Sequence, residues 1–172
     1  KSILARIYWT ANMDEISNSN MVIEAIVENL EIKQDLFLQM ESMVSDDCIL
    51  ATNTSSLSVA KIASVCKQKS RIIGIHFFNP VPLMKLVEII PTKEANGKLL
   101  LEVKAILKGW GKSVVTAKDT PGFIVNRVAR PYYSEALRIY EEGVADFATI
   151  DWAMKEFGGF RMGPFELMDY IG

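Results

Sequence analysis

The sequence predicts an α/β fold up to a break near Pro121, followed by an all-α segment. Between residues 21 and 75, short apolar runs alternate with amphipathic stretches in the order strand, helix, strand, helix, strand. That order predicts parallel strands joined by right-handed crossovers. Asp119-Thr-Pro-Gly122 then breaks the chain, and beyond it the apolar residues recur at helical spacing.

Residues 2–9 mix apolar and basic side chains and read as a helix end leading into a short strand over 6–10. Residues 11–20 are rich in Asn and Ser and predict a loop with one helical turn. The apolar run 21–26 predicts a buried strand. From Asn29 to Ser45 the residues Leu30, Ile32, Phe37, Met40 and Met43 recur at helical spacing with charges between them. Residues 48–51 predict a second buried strand, ending in a polar run, 52–56, suited to a strand end and a helix cap. A short helix is expected over 57–66, strands over 71–78 and 86–90, a helix over 95–109 and a strand over 112–117. After the breaker come a helix from Ile124 to Tyr140 ended by Gly143, a helix over 147–157 stopped by Gly158-Gly159, and the start of a third at Phe165.

Composition narrows the function classes. Of 172 residues, 49% are apolar, which is globular rather than disordered composition. A net charge of -2 argues for neither nucleic acid nor an acidic membrane surface as partner. No apolar run approaches the roughly 20 residues of a membrane-crossing helix, and the start does not resemble a signal peptide. Cys48 and Cys66 are too few for a disulfide framework and do not match metal-ligand spacing, so a reducing compartment and no metal are expected. The chain starts at Lys1 and stops just after an apolar run, and both ends read as those of a fragment.

In a parallel sheet, ligands sit beyond the carboxyl ends of the strands. Residues 25–29, 53–56 and 76–79 all fall there. His76 is the sole histidine, and Glu88 is a lone carboxylate in the next apolar run, across a Pro-rich turn. Folding the turn back would bring an imidazole and a carboxylate together, the arrangement a general base needs. A structural histidine beside an unrelated carboxylate fits the spacing equally well. Asn53-Thr-Ser-Ser56 reads first as a helix cap with polar groups left over for a ligand. Asn126 reads as an early-helix cap or a functional side chain. Glu28, Asn29 and Lys33 read first as solvated helix charge. These 172 residues contain no glycine-rich dinucleotide fingerprint, since Gly109-Trp-Gly111 lacks the third glycine and Phe160 stands where the second belongs in 158–163. Neither a phosphate-binding lysine loop nor a serine nucleophile elbow appears.

Six ordered motifs then carry a specific likeness: Ile23-Glu-Ala-Ile-Val-Glu-Asn29, Asn53-Thr-Ser-Ser-Leu57, His76-Phe-Phe-Asn-Pro80, Leu86-Val-Glu88, Lys118-Asp-Thr-Pro-Gly-Phe-Ile-Val-Asn-Arg127 and Gly163-Pro-Phe-Glu-Leu167. From about residue 20 onward the chain resembles the 3-hydroxyacyl-CoA dehydrogenase family, including 3-hydroxybutyryl-CoA dehydrogenases. The resemblance implies the C-terminal part of a Rossmann-like NAD-binding domain over 1–121. It implies the N-terminal part of a helical, dimerising C-terminal domain over 122–172. It implies NAD-dependent oxidation of (S)-3-hydroxyacyl-CoA to 3-oxoacyl-CoA, in fatty-acid β-oxidation or a related acyl-CoA pathway. His76 and Glu88 match the family's catalytic pair. Ser55 and Asn126 match residues that contact the substrate oxygen, from opposite sides of a cleft between the domains. Asn79 matches a further substrate-side asparagine. Glu28, Lys33, Asn53 and Ser55 match positions on the nicotinamide side of the cofactor. The implied partners are an acyl-CoA and a second copy of the chain. The implied location is bacterial cytoplasm or mitochondrial matrix. Two other readings stay open: a module of a multifunctional fatty-acid oxidation enzyme, and a non-catalytic dimerisation or scaffold fragment.

Overall fold

The computed structural model describes residues 3–171 and divides them into two compact units, the first ending at Phe123 and the second beginning at Ile124. The first unit holds a five-stranded sheet in the order β1 (Met21–Glu24), β2 (Ile49–Thr52), β3 (Ile72–Phe77), β4 (Leu86–Pro91), β5 (Ser113–Thr116). β1, β2 and β3 run parallel, as their alternation with helices requires, and so do β4 and β5. β3 and β4 are antiparallel because the short turn between them leaves no room for a crossover. Lys112 holds that turn by donating to the carbonyls of Val81 (2.5 Å) and Met84 (2.9 Å).

Helices cover both faces of the sheet, so its strands are apolar on both sides rather than alternating. On one face Leu50 and Ile72 pack with Phe37 and Met40 of α1 (Leu30–Met43) and Ile62 of α2 (Val59–Ala63). On the other, Ile49, Ala51, Ile73, Ile75, Val87 and Ile89 pack with Leu99, Val103 and Leu107 of α3 (Gly97–Gly109). Each fully buried Leu or Ile of this kind contributes about 1.5–3 kcal/mol. Gly74 is required where β3 passes beneath α2. A Cβ there would lie 2.8 Å from Val59 Cγ2 and 2.9 Å from Ile90 Cβ.

Polar caps fix where the helices begin. Asn29 Oδ1 accepts from the Ile32 amide (3.1 Å) and Asn96 Oδ1 from the Leu99 amide (2.7 Å). α2 starts later than expected, capped by Ser58 rather than by the 52–56 run. Asp119, the first residue of the breaker, reinforces that cap, accepting from Ser58 Oγ and from the amides of Val59 and Ala60.

The strand expected over residues 6–10 does not form. Ile3–Arg6 is a 3-10 turn, and Tyr8 and Trp9 are 76% and 86% exposed. Those residues have apolar character but pair with no strand of the sheet, and an unpaired strand is not stable. Ser2, where the helix end expected before that strand begins, lies outside the described residues. The turn expected within 11–20 is a 3-10 helix, Met13–Asn18.

The second unit contains α4 (Val125–Glu141), α5 (Phe147–Glu156) and α6 (Pro164–Ile171). Buried Asp151 on α5 caps α6, its two oxygens accepting from the amides of Phe165 (2.8 Å) and Glu166 (3.0 Å). Gly163 permits this, because a Cβ there would lie 2.2 Å from Asp151 Oδ1. Asn126 is the second residue of α4 and is not its cap. That position belongs to Ile124, which makes no side-chain capping bond.

Candidate active site

The β3–β4 register places His76 directly opposite Glu88. Side chains at such a pair leave the same face of the sheet, and here the His76 Nδ1 lies 2.7 Å from Glu88 Oε2. His76 is 4% exposed and Glu88 is fully buried. A carboxylate can only accept, so Nδ1 is the donor in this pair. The ring is wedged between Phe78 and Phe123, at centroid distances of 4.6 Å and 5.6 Å. Phe123 holds a left-handed backbone (φ 46°) directly after Gly122 (φ 77°) and packs against Val59, Ile90 and Ala117. Such a conformation costs a bulky residue on the order of 1–2 kcal/mol, which packing on the imidazole and the core offsets.

A second cluster forms at the carboxyl ends of β1 and β2. One Glu28 oxygen accepts from the Thr54 hydroxyl (2.5 Å), the Ser55 and Ser56 amides (both 2.9 Å) and the Ser56 hydroxyl (3.0 Å). Partial burial works to raise the Glu28 carboxyl above its ordinary 4.5, but these donors win and lower it to about 2. The other oxygen faces Lys33 Nζ at 3.5 Å.

Lys33 and Asn29 are not the solvated helix charge and polarity that spacing suggested. Asn29 is the cap of α1, and Lys33 is 1% exposed. The Lys33 ammonium turns back along the β1–α1 turn to Glu24 Oε1 (2.6 Å) and the Ile26 carbonyl (3.2 Å). Glu24 itself was not singled out from sequence. It is 3% exposed, and its second oxygen accepts from Thr52 Oγ1 (2.7 Å). A lone carboxylate in the apolar run 21–27 is the same signal that Glu88 gives in its own strand.

Asn53 is half-buried, and its Oδ1 accepts from the Phe77 amide (2.9 Å), stapling the carboxyl ends of β2 and β3 together. Ser55 is exposed and is placed by its amide bond to Glu28. Asn79 is exposed, three residues beyond His76. The first unit thus brings the His76–Glu88 pair, Asn53, Ser55, Glu28 and Lys33 to the strand-end region where α/β sheets bind ligands. Asn126 is half-buried in the first turn of α4, in the second unit.

Residues 1–120 match the family model of the 3-hydroxyacyl-CoA dehydrogenase NAD-binding domain, and residues 122–172 match that of the 3-hydroxyacyl-CoA dehydrogenase C-terminal domain. A probable 3-hydroxyacyl-CoA dehydrogenase of Caenorhabditis elegans is 48% identical over 172 residues, covering 99% of this chain and 56% of the relative. The human mitochondrial hydroxyacyl-coenzyme A dehydrogenase is 48% identical over 157 residues, covering 91% of this chain and 50% of that protein. The crystal structure of (S)-3-hydroxybutyryl-CoA dehydrogenase from Ralstonia eutropha superposes with a TM-score of 0.94 at 40% identity, over 98% of this chain and 60% of that one. The Escherichia coli 3-hydroxybutyryl-CoA dehydrogenase structure gives a TM-score of 0.92 at 45% identity, over 95% of this chain and 34% of that one. The chain spans about half the length of the curated relatives it matches.

Proposed function

The chain belongs to the 3-hydroxyacyl-CoA dehydrogenase family, and on that premise we propose that the protein containing it interconverts (S)-3-hydroxyacyl-CoA and 3-oxoacyl-CoA with NAD, within fatty-acid β-oxidation or a related acyl-CoA pathway. The observation that carries the reading is the buried His76–Glu88 pair near the carboxyl end of β3, an imidazole held by a carboxylate as a general base requires. His76 takes the proton of the 3-hydroxyl. Glu88 keeps the ring in the tautomer that can do so and stabilises the imidazolium that results. Ser55 and Asn126 hydrogen-bond the oxygen that becomes the ketone, and Asn79 lies on the substrate side.

The residues present fit the nicotinamide-side half of the cofactor. Polar groups of Glu28, Asn53 and Ser55 converge at the ends of parallel strands, and buried Lys33 backs them. NAD, when bound, accepts the hydride that leaves C3. The diphosphate-binding glycine turn of such folds is not found in these 172 residues. Homodimerisation through the helical unit belongs to the same reading.

The test uses the full-length protein, acetoacetyl-CoA and NADH, followed by loss of NADH absorbance. Turnover in the wild type that His76→Ala reduces by about 2–4 decades supports the reading. Absence of turnover in the wild type, or full activity in His76→Ala, refutes it.

A further inference from the structure

A second buried charged cluster, Glu24 with Lys33 and Thr52, contains a carboxylate to which the dehydrogenase reading gives no role. A buried ion pair is a poor source of stability, since well-packed apolar residues of similar size usually serve as well or better. What such a pair does supply is fixed geometry. Glu24 ends β1, and its Oε1 accepts from both Lys33 Nζ and the Ile26 amide, each at 2.6 Å. Lys33 Nζ also donates to the Ile26 carbonyl and faces Glu28. Glu28 in turn gathers the backbone of Ser55 and Ser56. Three links therefore run from the core to the strand-end surface: Glu24 to Lys33, Lys33 to Glu28 and Glu28 to Ser55.

We propose that Glu24 is a positioning residue. Its buried carboxylate sets Lys33, and through Lys33 and Glu28 it sets the Ser55–Ser56 backbone that meets the cofactor and the substrate oxygen. The proposal deepens the dehydrogenase reading and rests on it for the identity of the ligand. Without the Glu24 charge, the Lys33 ammonium would keep Glu28 as its carboxylate partner among the described residues. It would draw Glu28 inward, away from Thr54, Ser55 and Ser56.

The experiment compares Glu24→Gln with the core-cavity variant Leu50→Ala in the full-length protein. Amide hydrogen exchange at Ser55 and Ser56 is measured without ligand, and the NADH dissociation constant by fluorescence. In Glu24→Gln the two amides should exchange about tenfold faster and the NADH dissociation constant should rise about tenfold, the effect of one charge-assisted hydrogen bond. The KM for acetoacetyl-CoA should move much less. Leu50→Ala should lower the melting temperature without changing either quantity, because these amides open locally rather than by global unfolding. Unchanged exchange and unchanged NADH affinity in Glu24→Gln would overturn the proposal. Should that variant fail to fold, Glu24→Asp keeps the charge but shortens its reach. An intermediate change in both quantities then supports the proposal, and none overturns it. If the wild type binds no NADH, the dehydrogenase reading falls, and exchange at Ser55 and Ser56 alone decides whether Glu24 positions them.

Discussion

Glu88 stands directly across the β3–β4 pairing from His76, and the two side chains meet at 2.7 Å inside the sheet. The antiparallel hairpin is what makes this possible. It is the one antiparallel junction in the sheet, and it puts two residues twelve apart in sequence onto one face at one level. A change at Glu88 should therefore separate orientation from packing. Glu88→Gln keeps the volume but can present an amide N–H to Nδ1, favouring the wrong tautomer. In the full-length protein kcat should fall by about 2–4 decades with little change in melting temperature. Glu88→Ala should lose both activity and stability. Normal kcat in Glu88→Gln would show that the pair is structural.

Gly163→Ala should destabilise the second unit. Its Cβ would collide with Asp151, whose carboxylate caps α6. Either the cap breaks or the helix start shifts, so the loss should be about 1–3 kcal/mol, read by urea denaturation. Adding Asp151→Ala to this variant should cost little more, because the cap is already lost. Additive losses would show that the two residues act independently.

Much of the fold was legible because the signals were local. The helical spacing from Asn29 to Ser45 and the strand–helix alternation over 21–75 each announce an element within a few residues. The His76–Glu88 pair was also within reach, because a lone carboxylate in an apolar strand demands a partner and the chain has one histidine. Lys33 was not legible. Its spacing among polar residues reads as a solvated helix face, and only the β1–α1 turn folding over it makes it 1% exposed. Glu24 went unremarked although its setting matches that of Glu88. Its partner lies on a helix that sequence placed in water. Residues 6–10 misled in the other direction, because a strand-like composition forms no strand without a neighbour to pair with.

Both cysteines should resist modification. Burial pushes the Cys66 thiol up to about 11, with the Glu41 carboxylate adding to the effect against the nearby Arg71 and Lys69 charges. Burial raises Cys48 as well. At pH 8 neither is appreciably thiolate, and they are 3% and 1% exposed. Alkylation by iodoacetamide should proceed only as fast as the protein opens, and should accelerate in urea in step with unfolding. Rapid labelling of either residue in native conditions would contradict this burial.

Acid stability should carry the mark of Glu28. Its carboxyl is lowered from 4.5 to about 2 in the folded protein by the Thr54, Ser55 and Ser56 donors, against the opposing effect of burial. A carboxyl that is more acidic in the folded state adds stability above its unfolded value, and loses that contribution as pH falls through the folded one. The window is therefore pH 4.5 down to about 2. Within it, the unfolding free energy of the wild type should decline more steeply than that of Glu28→Gln. Above it, the difference between the two proteins should be constant. Other acid-shifted carboxyls, such as Asp146 and Glu166, are common to both proteins and cancel in that difference. Because the Glu28 side chain is 37% exposed, solvent screening keeps the effect modest, and the slope is the more informative reading. Urea titrations at successive pH values, taken down to the point where the native state is lost, measure it directly. Parallel curves through the window would mean that the four hydrogen bonds to Glu28 do not hold its carboxyl in the ionised form.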